Sequence, residues 1–349
     1  MGRARRRGPR AARGCAARRG PARGRAGGAR RGYGRYVRFA ISIPQGWPDG
    51  AFDHDAFVSY LTRAEELGFE SAWAMEQVLG GSPWLGVVET MAYAAACTRR
   101  LRIGCSVFVS PLHTPVHLAK SIATLDQLSR GRIEAGFGIG GRNRDFAAYG
   151  LTADHLVARF TEGLDLMKAC WSQPVIDVEG RFWQVHGARM EPKPVQKPYP
   201  PVWLGGSAPA AVRRAARMAD GFFGAGSTTT ERFAGQVQVL REALAARGRT
   251  IATDSGDGTG FPVAKRVYIA VDDDPARARE RMAAALVGVY GEAFGSGLLP
   301  VAVTGTPGDC VHGLREVAAA GAGLILLTAL FDQPAQMERL AAEVIPQLS

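Results

Sequence analysis

From Val37 onward the chain alternates short, wholly apolar runs with longer runs whose apolar residues recur every three or four positions. The apolar runs lie at 37–43, 70–75, 101–109, 132–140, 201–206, 221–225, 265–271 and 323–330. Strands that are apolar along their whole length are those buried on both faces, as in a parallel sheet covered by helices. Between them the spacing predicts helices. One carries Phe57, Tyr60, Leu61, Ala64 and Leu67 and ends at Gly68; others cover 86–98, 155–171, 208–219 and 231–247. Another opens at Thr114-Pro115 and runs through Leu118, Ile122, Leu125 and Leu128. Further helices fall between 275 and 320, and a last one over 334–347 puts Met337, Leu340, Ala341, Val344 and Ile345 on one face. Residues 174–200 break the rhythm: DVEGRFWQV reads as a hairpin around Glu179-Gly180, and PKPVQKPYPP is too rich in proline for regular structure. This stretch reads as an insertion.

Eight strands separated by helices close naturally into a (β/α)8 barrel, with an open doubly wound sheet as the rival that pattern alone leaves standing. In a barrel the chemistry sits where strands end and loops begin. That directs attention to 44–47, 76–84, 106–113, 138–145, 205–207 and 224–228.

Composition changes the picture in one respect. The whole chain carries 43 basic and 32 acidic residues, a net charge of +11, which suggests a nucleic-acid binder. Yet 13 of the arginines lie in residues 1–36, which contain no Lys, Asp or Glu; removing those 13 leaves 30 basic residues against 32 acidic. The leader of Arg, Gly, Ala and Pro has too little apolar surface to offset its ordering entropy and is expected to be disordered. Its two readings are an upstream extension of the reading frame or an arm that holds RNA by charge and stacking. The domain boundary is therefore placed after residue 36, with one domain over 37–349. The five cysteines are odd in number, widely spaced and form no CxxC pair, so neither a disulfide framework nor a structural zinc site is expected. No apolar run approaches the ~18 residues of a membrane span, and a cytoplasmic protein is the default.

GFGIGG (136–141) satisfies the dinucleotide-binding GxGxxG pattern by letter, but no helix start is evident until about Thr152, so the Rossmann context fails. LGGSAPAAVRRAARMADG ends a strand in two glycines and a serine and begins a helix at once. Such a turn is either a phosphate cradle or a plain helix cap, with Ser207 able to donate to the anion or to cap. Glu76, Gln77, His113, Asn143, Arg144 and Asp145 are the acid, amide and base candidates on the loops. His113 and His117 stand four apart, but no carboxylate completes a metal set, and no metal is expected. No GxSxG or Walker loop occurs. A barrel with a phosphate cradle and no reactive side chain of its own suggests that a bound cofactor does the chemistry.

AEELGFESAWAMEQ, the block from Arg100 to Leu151, VWLGGSAPAAVRRAARMADGFF and GTPGDCVHGLREVAAAGAGLILL together resemble the bacterial luciferase-like flavin and deazaflavin (F420) oxidoreductase family. The resemblance implies a TIM barrel that binds F420 or FMN at the C-terminal ends of its strands. Matched position by position, it implies a non-prolyl cis peptide at Ser106-Val107 against the ring, Gly138 and Gly140 closing the fourth strand over the cofactor, and a phosphate loop of Gly205, Gly206 and Ser207. One departure matters. Many members have Asp-His after the second strand, where this chain has Glu76-Gln77, and Gln77 cannot act as a general acid near neutral pH.

The reading that results is a hydride transfer between coenzyme F420 and a small organic substrate. FMN-dependent monooxygenation is the alternative, and a non-catalytic flavin-binding protein or a leader-driven RNA binder the alternative of another class. Glu76 and Gln77 stand as the candidate catalytic pair. Substrate choice is expected from Trp47, Trp84, the 174–200 insertion and the 288–306 segment. A homodimer is the family default; neither nucleic acid nor membrane is expected to partner the barrel.

Overall fold

The computed structural model describes residues 37–47, 50–140, 144–255, 257 and 259–348. Eleven strands run in chain order: β1 (Arg38–Ser42), β2 (Ser71–Ala74), β3 (Arg102–Val109), β4 (Ile133–Gly138), β5 (Ile176–Glu179), β6 (Gln184–Ala188), β7 (Val202–Gly205), β8 (Gly221–Gly224), β9 (Val263–Val271), β10 (Val303–Gly305) and β11 (Leu324–Thr328). Eight of them, in the order β1–β2–β3–β4–β7–β8–β9–β11, pair in parallel, and β11 returns to β1 with Arg38 opposite Leu324. The sheet therefore closes into a TIM barrel, and the open-sheet rival is excluded. All eight apolar runs of the sequence became these eight strands. The three-residue β10, between Pro300 and Pro307, went unseen and extends β9 at the barrel's edge with Val303 opposite Ile269.

The helices are α1 (His54–Glu66), α2 (Val87–Cys97), α3 (Pro115–Ser129), α4 (Leu156–Ser172), α5 (Pro209–Met218), α6 (Thr230–Ala245), the single turn α7 (Ala252–Ser255), α8 (Pro275–Tyr290), the short α9 (Glu292–Gly295), α10 (Pro307–Ala319) and α11 (Gln333–Arg339). Their ends follow local chemistry. Asp53 caps α1 by accepting from the Ala56 N–H at 2.9 Å. Gly68, at φ 85, then makes the left-handed exit that a Cβ would disfavour. Two expectations are corrected. Leu128 is 64% exposed, because α3 instead turns Ala119, Ala123, Asp126 and Ser129 inward with Leu118, Ile122 and Leu125. The C-terminal helix reaches 347 but not as one α-helix: after Arg339 it widens into a π-turn over Leu340–Val344 and then tightens over Ile345–Gln347, where Pro346 cannot supply a helical N–H.

The barrel is filled rather than hollow. Trp73, Trp203 and Phe223 meet inside it, with ring centroids 4.8 to 5.9 Å apart. Gly104 and Gly221 make the room: a Cβ on either would stand 2.4 Å from an indole carbon of Trp73 or Trp203. Below this layer Trp203 Nε1 donates to Glu134 at 2.6 Å, and the Arg102 guanidinium pairs with the same carboxylate. Burial pushes the Glu134 pKa above the usual range despite those two donors.

The insertion contains the β5–β6 hairpin, as its turn residues predicted. It packs outside α3 and α4: Glu162 of α4 accepts from the Phe182 and Trp183 N–H groups at 2.8 and 2.7 Å, and Gln196 reaches Asp126 of α3. Among the described residues no helix is long and apolar enough to cross a membrane. The leader lies outside the described residues.

Two glycines test the packing in opposite directions. A Cβ on Gly136 would stand 2.1 Å from the Cys105 carbonyl oxygen, backbone that cannot yield, so Gly136→Ala is expected to cost about 2 kcal/mol or more. Gly235 in α6 has nothing within 4 Å, so Gly235→Ala should add roughly 0.5–1 kcal/mol. Urea titration of the two variants reads both signs.

Candidate active site

A cavity of about 470 Å³ opens at the C-terminal ends of β3, β4, β7, β8 and β9. Ser106 and Val107 of β3 line it, as do Gly138 and Gly140 after β4 and the turn Gly205, Gly206 and Ser207. These seven residues, separated by up to a hundred positions in the sequence, are brought to one wall by barrel closure. The Ser106–Val107 peptide is cis and sits where the register of β3 against β4 shifts between Cys105 and Phe108. Gly206 has φ 151, and a Cβ there would stand 2.5 Å from the Ala211 Cβ, so the turn before α5 can close only around glycine.

The N-cap of α5 is Ala208, which makes no side-chain cap bond, and Pro209 follows it. Ser207 is exposed beside the cavity and its carbonyl accepts from Gln236 Nε2 at 3.3 Å. Of its two readings, the cap is excluded. The GxGxxG pattern likewise has no helix behind it: a 3-10 stretch covers Arg144–Tyr149 and α4 begins only at Leu156. Gly141, Asn143 and the side chains of Arg144 and Asp145 lie outside the described residues.

β9 carries two buried charges that sequence reasoning passed over, of which Arg266 lines the cavity. Lys265 and Arg266 of β9 are 2% and 6% exposed. The Arg266 guanidinium donates to the Ser106 hydroxyl at 2.6 Å and to its carbonyl at 3.0 Å, and it lines the cavity. Lys265 Nζ donates to the carbonyls of Ala225 and Arg266 at 2.7 and 2.8 Å, fixing the turn after β8. Among the described residues neither cation forms an ion pair. Burial, with Arg266 beside it, pulls the Lys265 ammonium down to about 7. A signal was present in the sequence: two adjacent bases inside KRVYIAV, an otherwise apolar strand.

The acid and amide after β2 separate. The Glu76 carboxylate, with its side chain 3% exposed, accepts from the Val109 N–H at 2.5 Å and faces His113 Nε2 at 2.7 Å, so both oxygens are engaged with the end of β3 and the loop beyond it. Neither Glu76 nor Gln77 is among the described residues lining the cavity. His117 is exposed on α3, away from His113's partner. A second pair, missed in the sequence, does line it: Tyr268 of β9 donates its hydroxyl to Tyr290 of α8 at 2.8 Å. That leaves the Tyr290 hydroxyl hydrogen directed elsewhere, with the Met75 thioether 3.7 Å away. Burial raises the Tyr268 pKa well above the usual phenol range, so it stays a donor.

A closed (β/α)8 barrel with a glycine cradle and buried cations at its mouth defines a class of cofactor-binding barrel enzymes. The luciferase-like monooxygenase family profile matches residues 37–324, and the chain belongs to that family of oxidoreductases. Among curated relatives, it is 29% identical over 175 residues to an F420-dependent glucose-6-phosphate dehydrogenase of Amycolatopsis mediterranei, covering 47% of this chain and 51% of the relative. It is 31% identical over 194 residues to an FMNH(2)-dependent dimethylsulfone monooxygenase of Pseudomonas putida, covering 54% and 53%. The chain thus spans about half the length of these relatives. The solved F420-dependent tetrahydromethanopterin reductase of Methanopyrus kandleri superposes with a TM-score of 0.72 at 20% identity, over 90% of this chain and 99% of that one, a likeness of fold.

Lys265 gives the site a pH signature. Its folded pKa of about 7 lies below the unfolded value of 10.5, so the unfolded chain binds more protons between these pH values and stability rises with pH across that window. The stability difference between the wild type and Lys265→Met should therefore shift toward the wild type as pH climbs from 7 to 10 and back again on acidification. Paired chemical denaturation series at several pH values would show it, and a flat difference would sink the assignment.

Proposed function

We propose that this chain transfers a hydride between coenzyme F420 and a small organic substrate, using the cavity at the mouth of the barrel. The observation that carries the reading is that a glycine cradle, Gly205–Gly206–Ser207, and a buried Arg266 with no ion pair among the described residues line one cavity. Two anion-seeking features in one cavity suit a ligand that carries both a phosphate and an electron-accepting ring. Relatives named for F420 and for FMNH(2) both match the chain, so the binding titration below decides between the two cofactors. When bound, F420 supplies a ring that gives or takes the hydride.

The residues of the chain do the rest. The Gly205–Ser207 turn and the start of α5 receive the phosphate, where the Ser207 hydroxyl is free to donate. Gly138 and Gly140 let the backbone after β4 come close to a flat ring. Arg266 holds Ser106 in place and would offer positive charge to a ring that gains electrons in this cavity. Glu76 holds the end of β3 through Val109 N–H and is a positioning residue here. With Gln77 unable to protonate and Glu76 engaged, the proton to or from a substrate oxygen falls to Tyr290, oriented by the hydrogen bond it accepts from Tyr268.

Two expectations follow. Titration of the purified protein with F420 and with FMN, read by tryptophan quenching, should show saturable binding of F420, weakened at least tenfold by the Ser207→Asp charge. Binding of FMN alone would move the reading to flavin-dependent oxygenation. Tyr290→Phe should lower kcat by about 10² or more while leaving the Kd for F420 unchanged, as expected for loss of a positioned proton donor. An unaltered kcat would remove Tyr290 from the reaction.

A further inference from the structure

The mouth of the barrel has a second chamber. It has a volume of about 590 Å³ and is walled by the loops after β1, β2 and β11 and by the last turns of α8. Trp47, Trp84, Val289, Leu330 and Phe331 are among its apolar lining residues, with Phe57 and Tyr60 of α1. Between it and the cofactor cavity lies a small space of about 20 Å³, the neck, which has room for one water and shares lining residues with both. Met75, Arg266 and Tyr290 line both the neck and the cofactor cavity; Trp84, Leu330 and Gln333 line both the neck and the second chamber.

Charge is divided unequally between the two spaces. The cofactor cavity has Arg214 and Arg266 in its walls. Among the described residues lining the second chamber there is no lysine or arginine, and its single charged side chain is Asp332. The Asp332 carboxylate is held by Arg281 at 2.6 Å, and that guanidinium lies 4.2 Å from the centre of the Phe331 ring. A phosphorylated or carboxylated molecule would find no cationic partner here, and its desolvation would go uncompensated. An uncharged apolar molecule would gain from every wall.

We infer that the second chamber is the substrate site and that it selects uncharged, ring-bearing or branched apolar compounds whose one polar group points through the neck toward Tyr290 and Arg266. This rests on the hydride-transfer reading above for its reaction, but not for its binding. At Met75 the backbone is held by hydrogen bonds, whereas the described hydrogen bonds of its side chain are only weak thioether contacts. Gln45 accepts from the Met75 N–H at 2.6 Å and donates to its carbonyl at 2.9 Å, whereas the Met75 thioether takes weak contacts from Arg266 and Tyr290, at 3.4 and 3.7 Å. A flexible, unbranched side chain is suited to moving aside for a ligand. The inference sets this chain apart from the sugar-phosphate substrate in the name of its Amycolatopsis relative.

Gly288 offers a clean test, because a Cβ there meets nothing within 4 Å and its helix faces the chamber. The full-length protein is saturated with F420 and titrated with acetophenone and, separately, with glucose 6-phosphate, by calorimetry and tryptophan quenching. Acetophenone should bind saturably and glucose 6-phosphate should not compete with it. Gly288→Phe, which fills the chamber and favours helix over the glycine it replaces, should weaken acetophenone at least tenfold and leave the F420 Kd unchanged. Ala285→Phe, on the same wall one turn earlier, should do the same and guards against a local effect of either change. Equal acetophenone affinity in both filled variants, or displacement by glucose 6-phosphate, would overturn the assignment. Should F420 fail to bind while acetophenone binds and is lost in the filled variants, the chamber assignment stands and the hydride-transfer reading falls.

Discussion

Everything at the mouth of this barrel stands on the packing of three rings inside it. Trp73, Trp203 and Phe223 come from three different strands and fill the cross-section because Gly104 and Gly221 withhold the side chains that would compete for the space. The layer seals the barrel's lower half, where Glu134 and Arg102 share a buried charge pair with Trp203. It also gives the upper half a firm floor. Phe223 reaches from that layer into the lining of the cofactor cavity, so the shape of the cavity is inherited from the packing beneath it.

On that floor the chain spends stability to keep charge. Burying a lysine and an arginine next to each other without a carboxylate costs free energy that hydrogen bonds to carbonyls and to Ser106 offset only in part. Such an arrangement is hard to explain as scaffolding, since apolar residues of similar size would pack as well. Arg266 lines the cavity while Lys265 is bonded to the turn after β8, so part of that cost is borne at the site itself.

Much of the fold was legible because a strand buried on both faces cannot hide its composition, and eight such runs at regular intervals leave few closures. What escaped did so for physical reasons. β10 is three residues long, too short for any period, and exists because β9 offers it an edge. Leu128 fits the helical spacing of α3 but falls beyond the face that the barrel covers. The insertion was expected near the substrate and instead wraps outer helices, because the partners of Glu162 and Gln196 are decided by tertiary contact. At the site the glycine turns were readable as local signals. Tyr290 was not: it sits on α8, and only the fold brings it to Tyr268 of β9. The pair Lys265–Arg266 was visible in the sequence but was absorbed into a strand.

The Glu76 carboxylate joins two loops that face different ligands. Its own loop continues to Trp84, a wall of the second chamber, while its hydrogen bonds fasten the end of β3, whose Ser106 and Val107 line the larger cavity at the strand ends. Exchange of that loop between relatives is therefore not a modular operation. A grafted loop that alters the outer chamber but lacks an acid at position 76 would release Val109 and His113, and a change made for selectivity would be felt as a loosened cofactor wall.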